Sequence, residues 1–332
     1  MGHPFDDSLP KALDSEVEAS AEPESEEVEC RSQVVDAALH GRRLDKALVA
    51  MVPELSRSYL QTLIDRGCVK VDGEPASSAA RRVRAGQRLE AVLVPTAESL
   101  AFRSEPMPIA TVYEDEHVLV IDKRAGLVVH PAAGNWSGTL LNALLAHLPA
   151  AVSLPRAGIV HRLDKDTSGL MVVGKSLQAV TALSRDIASR RVRREYLAIA
   201  HGVVAGRAFT IERPIGRDPA VRTRMAIVAS GKAARTDVEV VAHGSGCSAL
   251  ICLLHTGRTH QIRVHLASRG HPLLADPVYG GSPGLGMVRQ ALHATTLAFR
   301  HPVTDEALRF EAPPPADFAA AWETVTGVPA TP

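Results

Sequence analysis

The stretch GIVHRLDKDTSGLMVVGKS, residues 158–176, sets a run of polar side chains between two apolar segments. Its periodicity predicts a strand at Gly158–Val160, a loop from His161 to Ser168 that turns at Gly169, and a second strand at Leu170–Val173. Polar groups concentrated between buried strands make a site geometry, because the scaffold is rigid and the loop presents its side chains. For an arbitrary loop of this composition, a salt-bridged turn with surface charges is the plainer reading. The flanking sequence has to decide.

Two other segments carry comparable groups. In TGRTHQIRVHLASRGHPLLADPVYGG, residues 256–281, Thr259 is placed to cap a short helix that ends at Gly270, with Pro272 beyond it and Arg263 in its early turns. In RRVRREYLAIAHG, residues 190–202, four arginines precede Tyr196 on a predicted strand. Around these segments, strands are expected near Val112, Val118–Ile121, Tyr196–Ala200, Val238–Val241 and Ala249–Leu254. Helices are expected at Leu140–Leu145, capped by Thr139, and at about 177–190. Strands and helices mix without regular alternation. The expected fold of residues 109–325 is therefore α+β, with a largely antiparallel mixed sheet flanked by helices.

Residues 36–95 read as a separate small α/β module. Leu44, Ala47, Leu48 and Met51 form a helical stripe ended by Pro53. Ser56 caps a second helix whose Tyr59, Leu60, Leu63 and Ile64 share a face, and Gly67 follows it. Short strands with turns at Asp72-Gly73 and near Gly86 complete the module. Arg42, Arg43, Lys46, Arg57, Arg66, Lys70, Arg81, Arg82 and Arg84 fall at exposed positions, which suits phosphate contact, although a solvated basic face would look the same. Residues 96–108, with Pro106 and Pro108, read as a linker, and 326–332 as a tail.

Residues 1–35 hold ten acids against two bases and lack apolar periodicity, so they read as a disordered acidic tail. Of the 37 bases and 37 acids in the whole chain, 35 and 27 then remain in the other 297 residues. That excess favours an anionic partner. The four cysteines, Cys30, Cys68, Cys247 and Cys252, include no C-x-x-C pair, which points to a reducing cytoplasm and away from a zinc site. His260 and His265 are five apart, a spacing that puts no two ligands on one face, so no metal is expected. Phosphate-loop, H-E-x-x-H and G-x-S-x-G signatures are missing, and no apolar run approaches the roughly 20 residues of a membrane span.

Taken in order, the segments resemble one family. GIVHRLDKDTSGL is similar to the signature of RluA/RluD-type pseudouridine synthases. VYEDEHVLVIDKRAGLVVHP precedes it as in that family, and REYLA, GRTHQIRVH, HPLLADPVYGG and RQALHATTLAFRHP follow. RLDKAL…SRSYLQTLIDRGCVKVDG resembles the S-four-type RNA-binding module, which marks the RluD-like branch. The chain departs from the pattern at Lys123-Arg124, where Lys-Pro is common, in a short Gly281–Arg289 segment, and in the acidic tail.

The resemblance implies an enzyme that isomerises uridines in structured RNA, ribosomal RNA of the large subunit ahead of transfer RNA, as a cytoplasmic monomer without cofactor or metal. An inert RNA-binding protein on the same scaffold is the competing class. Asp164 matches the catalytic aspartate, which can act on the ribose or on the uracil ring. Arg263 matches its basic partner, and Tyr196 the tyrosine that stacks on the detached base. Arg162 is placed to fill the gap left by the flipped nucleotide, with Leu163, Thr167, Ser168 and Gly169 shaping the substrate loop. The basic residues of the small module, Arg42, Arg43, Arg57, Arg66, Lys70, Arg81 and Arg82, are the expected RNA contacts beyond the site.

Overall fold

A computed structural model describes residues 29–94, 101–132, 134–221 and 223–330, which fall into two compact units that divide between Val94 and Ala101. The expected tail over residues 1–28, the last residue of the expected small module, Pro95, and the start of the expected linker at 96–100 lie outside the described residues.

The first unit runs β1 (Glu29–Val34), α1 (Leu44–Met51), α2 (Arg57–Asp65), β2 (Val69–Val71), β3 (Glu74–Pro75) and β4 (Arg88–Leu93). Its four strands lie in the order β1-β4-β2-β3. Leu44, Leu48, Leu60, Leu63 and Ile64 pack their helical stripes onto Val69, Val71, Leu89 and Ala91. Ser56 caps α2 by accepting from the Tyr59 N–H. Asp72 and Gly73 both have positive φ, which allows the two-residue hairpin turn between β2 and β3.

The reading of residues 29–35 as disordered tail is corrected here. Glu29–Val34 pair antiparallel with Arg88–Leu93 in full register. The pattern carried no signal because this edge strand is exposed at nearly every position, so backbone pairing rather than burial of alternate side chains holds it.

The second unit begins with Ala101–Glu105, expected to be linker but in fact docked. Asn142 Nδ2 donates to the carbonyls of Ala101 and Arg103, and the Glu105 N–H donates back to the Asn142 carbonyl. The elements that follow are β5 (Thr111–Glu114), β6 (Val118–Lys123), α3 (Leu140–His147), β7 (Ser168–Gly174), α4 (Leu177–Ala188), β8 (Arg193–His201) and β9 (Ala208–Glu212). After them come β10 (Ile215–Arg217), β11 (Met225–Ile227), β12 (Arg235–Gly244), β13 (Cys247–Leu254), α5 (Gln261–Ala267), β14 (Leu292–Arg300), β15 (Ala307–Glu311) and α6 (Ala316–Thr326).

Nine strands form one mixed sheet, ordered β5-β6-β7-β14-β8-β13-β12-β9, with β15 pairing the far end of β14. Every pair is antiparallel except β7 with β14, so the fold is the expected α+β class. One face packs Leu140, Leu144, Ile262 and Leu266 of α3 and α5 on Leu119, Met171, Val173 and Ala198. On another part of the sheet, Phe318, Ala321 and Trp322 of α6 cover Leu197, Ile199 and Ala249. None of the helices among the described residues is long and apolar enough to cross a membrane.

The expected strand at Gly158–Val160 is a turn of 3-10 helix and one isolated bridge, Ile159 to Val173. The cause is His161, whose Nε2 accepts the Val172 N–H at 3.0 Å and takes the bond that a continuing ladder would use.

Candidate active site

β7 and β14 meet as parallel neighbours at Ser168–His293 and Gly169–Ala294, at the foot of the His161–Ser168 loop. Gly169 makes this approach possible. Its φ is 114°, and a Cβ there would stand 2.2 Å from the Ala294 carbonyl oxygen. The loop is then pinned from several sides. Ser168 Oγ hydrogen-bonds His293 Nδ1 at 3.0 Å, while His293 Nε2 donates to the Ala312 carbonyl, and burial pulls this imidazole down to about 4. Thr167 Oγ1 accepts from Gln290 Nε2, and the Thr167 N–H closes a turn on the Asp164 carbonyl. Arg289 reaches the Asp166 carbonyl at 3.0 Å while its fork grips Asp317.

Lys123, at the end of β6, is 1 % exposed, and its ammonium donates to the carbonyls of Arg124, Leu127 and Lys165 at 2.9–3.0 Å. Three acceptors match the three donors of an ammonium, although burial pushes its pKa down to about 7. Sequence reasoning gave Lys123 no role. A lysine at the end of an apolar strand reads as a surface residue.

Asp164 and Arg263 are brought together as expected, with Arg263 Nη1 donating to Asp164 Oδ2 at 3.0 Å. The surprise is Asp276. It is fully buried and binds the remaining fork of Arg263, Oδ2 to Nε at 2.7 Å and Oδ1 to Nη2 at 2.8 Å. A bidentate grip fixes the plane of the guanidinium and so aims Nη1 at Asp164. Both carboxylates raise the guanidinium pKa and hold its charge against the cost of burial. Asp276 was visible only as the acid inside HPLLADPVYGG, with no periodic signal to separate it.

Arg263 rides on α5, which starts at Gln261 and not after a Thr259 cap. His260 adopts a left-handed conformation at the N-cap position without capping through its side chain. Gln261 anchors this end instead, accepting from Thr256 Oγ1 and the Arg258 N–H and donating to the Arg235 carbonyl and Thr236 Oγ1. His260 Nδ1 shares a 2.8 Å hydrogen bond with the Tyr279 hydroxyl, and its Nε2 stands 3.9 Å from Asp164 Oδ1. Burial lowers the His260 pKa in spite of the nearby Asp164 charge, so the ring stays neutral near pH 7. The Tyr279 ring lies 5.1 Å from the Arg263 guanidinium carbon, a cation–π contact.

Asp164, His260, Gln261 and Arg263 line a cavity of about 580 Å³ together with Arg162, Leu163, Thr167, Arg194 and Tyr196. Tyr196 sits mid-sheet, opposite Cys252 of β13 and Ala294 of β14. Burial raises its phenol to about 12 against the opposing charge of Arg194, so it keeps its proton at neutral pH. Arg162 is exposed beside the cavity, while Leu163, Thr167, Ser168 and Gly169 are buried. Leu163 and Thr167 line the cavity; Ser168 and Gly169 hold the loop base.

In the first unit, Arg43 and Arg57 converge on fully buried Asp45, joined by Gln61. These two cations share one countercharge, whereas Arg42, Arg66, Lys70 and Arg81 take no ion-pair partner among the described residues. Arg82 donates to the Gly41 carbonyl at 2.6 Å.

Chemically, one oxygen of Asp164 is occupied by a fixed guanidinium. No hydrogen bond among the described residues reaches the other, and Asp164 lines the cavity. That is the posture of a carboxylate held in place for reaction with an incoming group.

Comparison with known proteins follows the same lines. Residues 117–268 match the family model described as RNA pseudouridylate synthase, and residues 42–89 match the S4 domain model. A ribosomal large subunit pseudouridine synthase D of Nitrosomonas europaea is 46 % identical over 299 residues, covering 88 % of this chain and 86 % of the relative. A protein of the same name from Neisseria meningitidis serogroup B is also 46 % identical, over 94 % of this chain and 85 % of its own length. Among solved structures, human RNA pseudouridylate synthase domain containing 1 superposes with a TM-score of 0.53 at 28 % identity, covering 70 % of this chain and 91 % of that one.

Proposed function

The chain belongs to the pseudouridine synthase family, and we propose that its substrate is structured large-subunit ribosomal RNA, on which Asp164 is the reacting group. The observation that carries this reading is the split role of the Asp164 carboxylate on the cavity wall, with Oδ2 held by Arg263 at 3.0 Å and Oδ1 taking no hydrogen bond among the described residues. Isomerisation breaks the bond between ribose C1′ and uracil N1, turns the base and rejoins it through C5. Nothing is oxidised or reduced, so no redox cofactor is called for.

Each side chain then has a task. Asp164 acts on the anomeric carbon, on a neighbouring ribose proton, or on the ring, and Arg263 supplies its countercharge at 3.0 Å. Tyr196, protonated and mid-sheet, stacks on the base and donates rather than accepts. Arg162, exposed beside the cavity, fills the gap in the RNA when the uridine leaves its stack. Arg42, Arg66, Lys70 and Arg81 add phosphate contacts from the first unit. The relatives' names and the shared domain arrangement favour ribosomal over transfer RNA. The free cysteines suit the cytoplasm, and a monomer suffices because every group named comes from one chain.

Mapping pseudouridine in total RNA from cells with and without this protein tests the substrate. Sites in large-subunit ribosomal RNA should disappear with the protein and return on its re-expression. Loss confined to transfer RNA would contradict the proposal.

A further inference from the structure

Arg194 has no task in the account so far. It is 5 % exposed and lies two residues before Tyr196 on β8, hence on the same sheet face, and it lines the same cavity. Its Nε and Nη2 are buried without a hydrogen-bond partner, and no carboxylate among the described residues pairs with it. An uncompensated buried cation is costly, so its retention implies a negative group that arrives with the ligand.

The depth of Arg194 narrows that group. The other cavity arginines apart from Arg263 (Arg156, Arg162, Arg190 and Arg258) are exposed and suit the phosphates of an RNA too bulky to enter. A flipped base reaches deeper than its backbone. Uracil is neutral in the resting substrate but gains charge in the reaction. If the C1′–N1 bond breaks, its electron pair goes to N1 and spreads onto O2 and O4. If Asp164 adds at C6, the pair moves through C5 onto O4. When C5 has bonded to C1′, its proton leaves, N1 takes one up, and the ring is neutral again.

We propose that Arg194 donates through Nη1, the one nitrogen of its guanidinium not buried, to a carbonyl oxygen of the target uracil and stabilises the negative charge the ring takes on during isomerisation. The assignment rests on the pseudouridine synthase reading above but not on which route Asp164 follows. Because the charge exists only along the reaction path, Arg194 should contribute to rate rather than to binding.

Single-turnover rates at saturating ribosomal RNA transcript, with RNA affinity and melting temperature, test this. Arg194→Met should slow the reaction by about 100-fold or more, as loss of an oxyanion donor does. Its RNA Kd should stay within about threefold, and it should melt no lower than wild type because an unpaired buried charge is gone. Arg194→Lys should recover about tenfold over Met by restoring charge. Gly257→Ala is a second, independent variant. Its methyl would stand 2.9 Å from Arg194 Nη1 and displace the fork, so about a tenfold loss in rate with unchanged Kd is expected.

A saturating rate within threefold of wild type for Arg194→Met overturns the proposal. So does a weaker Kd with a salt slope reduced by about one at unchanged rate, which would assign the fork to a phosphate. If Arg194→Met does not fold, a wild-type rate in Gly257→Ala overturns it. A wild-type protein that forms no pseudouridine would instead remove the reading on which the proposal stands.

Discussion

Asp164→Asn should lower single-turnover pseudouridine formation by at least about a thousandfold, on the scale seen when a reacting side chain is removed from an active site. The change is nearly isosteric. Asn can still accept from Arg263 Nη1, and Arg263 keeps its two bonds to Asp276. Stability should therefore fall by no more than about 2 kcal/mol, the worth of one hydrogen bond to a charged group. RNA affinity should be close to wild type, because the basic residues proposed to contact phosphate are untouched. Rates, melting temperature and Kd measured on one preparation separate lost chemistry from lost structure. A variant within tenfold of the wild-type rate would exclude Asp164 as the reacting group.

Replacing Arg263 should have the second large effect, with a signature in pH. Arg263→Met strips the countercharge from two carboxylates at once, Asp164 and fully buried Asp276. Removing one partner of a buried pair typically costs about 3–5 kcal/mol. Without the guanidinium, both carboxyls take up protons more readily. Activity should therefore collapse at neutral pH and recover in part as the buffer is made alkaline and Asp164 ionises again. Stability should move the other way. Groups whose proton affinity is raised in the folded state support it at low pH and stop doing so as pH rises through their folded pKa, so Arg263→Met should melt lower in alkaline buffer than in acid. Arg263→Lys restores charge without the fork and should fall between Met and wild type. If Arg263 only contacted phosphate, Arg263→Met would bind RNA more weakly but keep a wild-type pH profile at saturating RNA. Single-turnover rate and melting temperature, both against pH, decide between these.

The parts of this molecule legible in sequence are those with an unbroken apolar signal, on one buried face as in α1 and α2 or on both as in β7. The stripes of α1 and α2, the Ser56 cap, and the alternation in β12 follow from periodicity. β14 did not, because LHATTLAFR is buried on both faces at the centre of the sheet and its His293, Thr295 and Thr296 read as polar. Its polar side chains are satisfied internally, Thr295 and His293 by the Ala312 carbonyl, which no window of sequence can reveal. Gly158–Val160 failed in the opposite sense. Its residues suit a strand, but a histidine side chain claims the ladder bond.

The site shows the same division. Asp164, Arg263 and Tyr196 stood out because the ordered motifs marked them, and the structure brings Asp164 to Arg263 and all three to one cavity. Asp276, Lys123 and Arg194 act through distant partners or through having none, and those are facts of three-dimensional packing. For Arg194 a local signal did exist. In Arg193-Arg194-Glu195-Tyr196, strand alternation turns Arg194 inward with Tyr196 and leaves Arg193 exposed. Four arginines in a row of seven residues read as a basic patch, and that reading masked the alternation.

The most direct test of the account uses ribosomal RNA transcribed with uridine tritiated at C5. Rejoining the base through C5 expels that hydrogen to solvent, whereas binding or base flipping alone does not. The purified protein should release tritium up to a fixed number of equivalents per RNA, set by its target uridines. The Asp164→Asn protein should bind the same RNA and release none. Tight binding by the wild-type protein with no tritium released would contradict the account and identify an RNA-binding protein on an inactive scaffold.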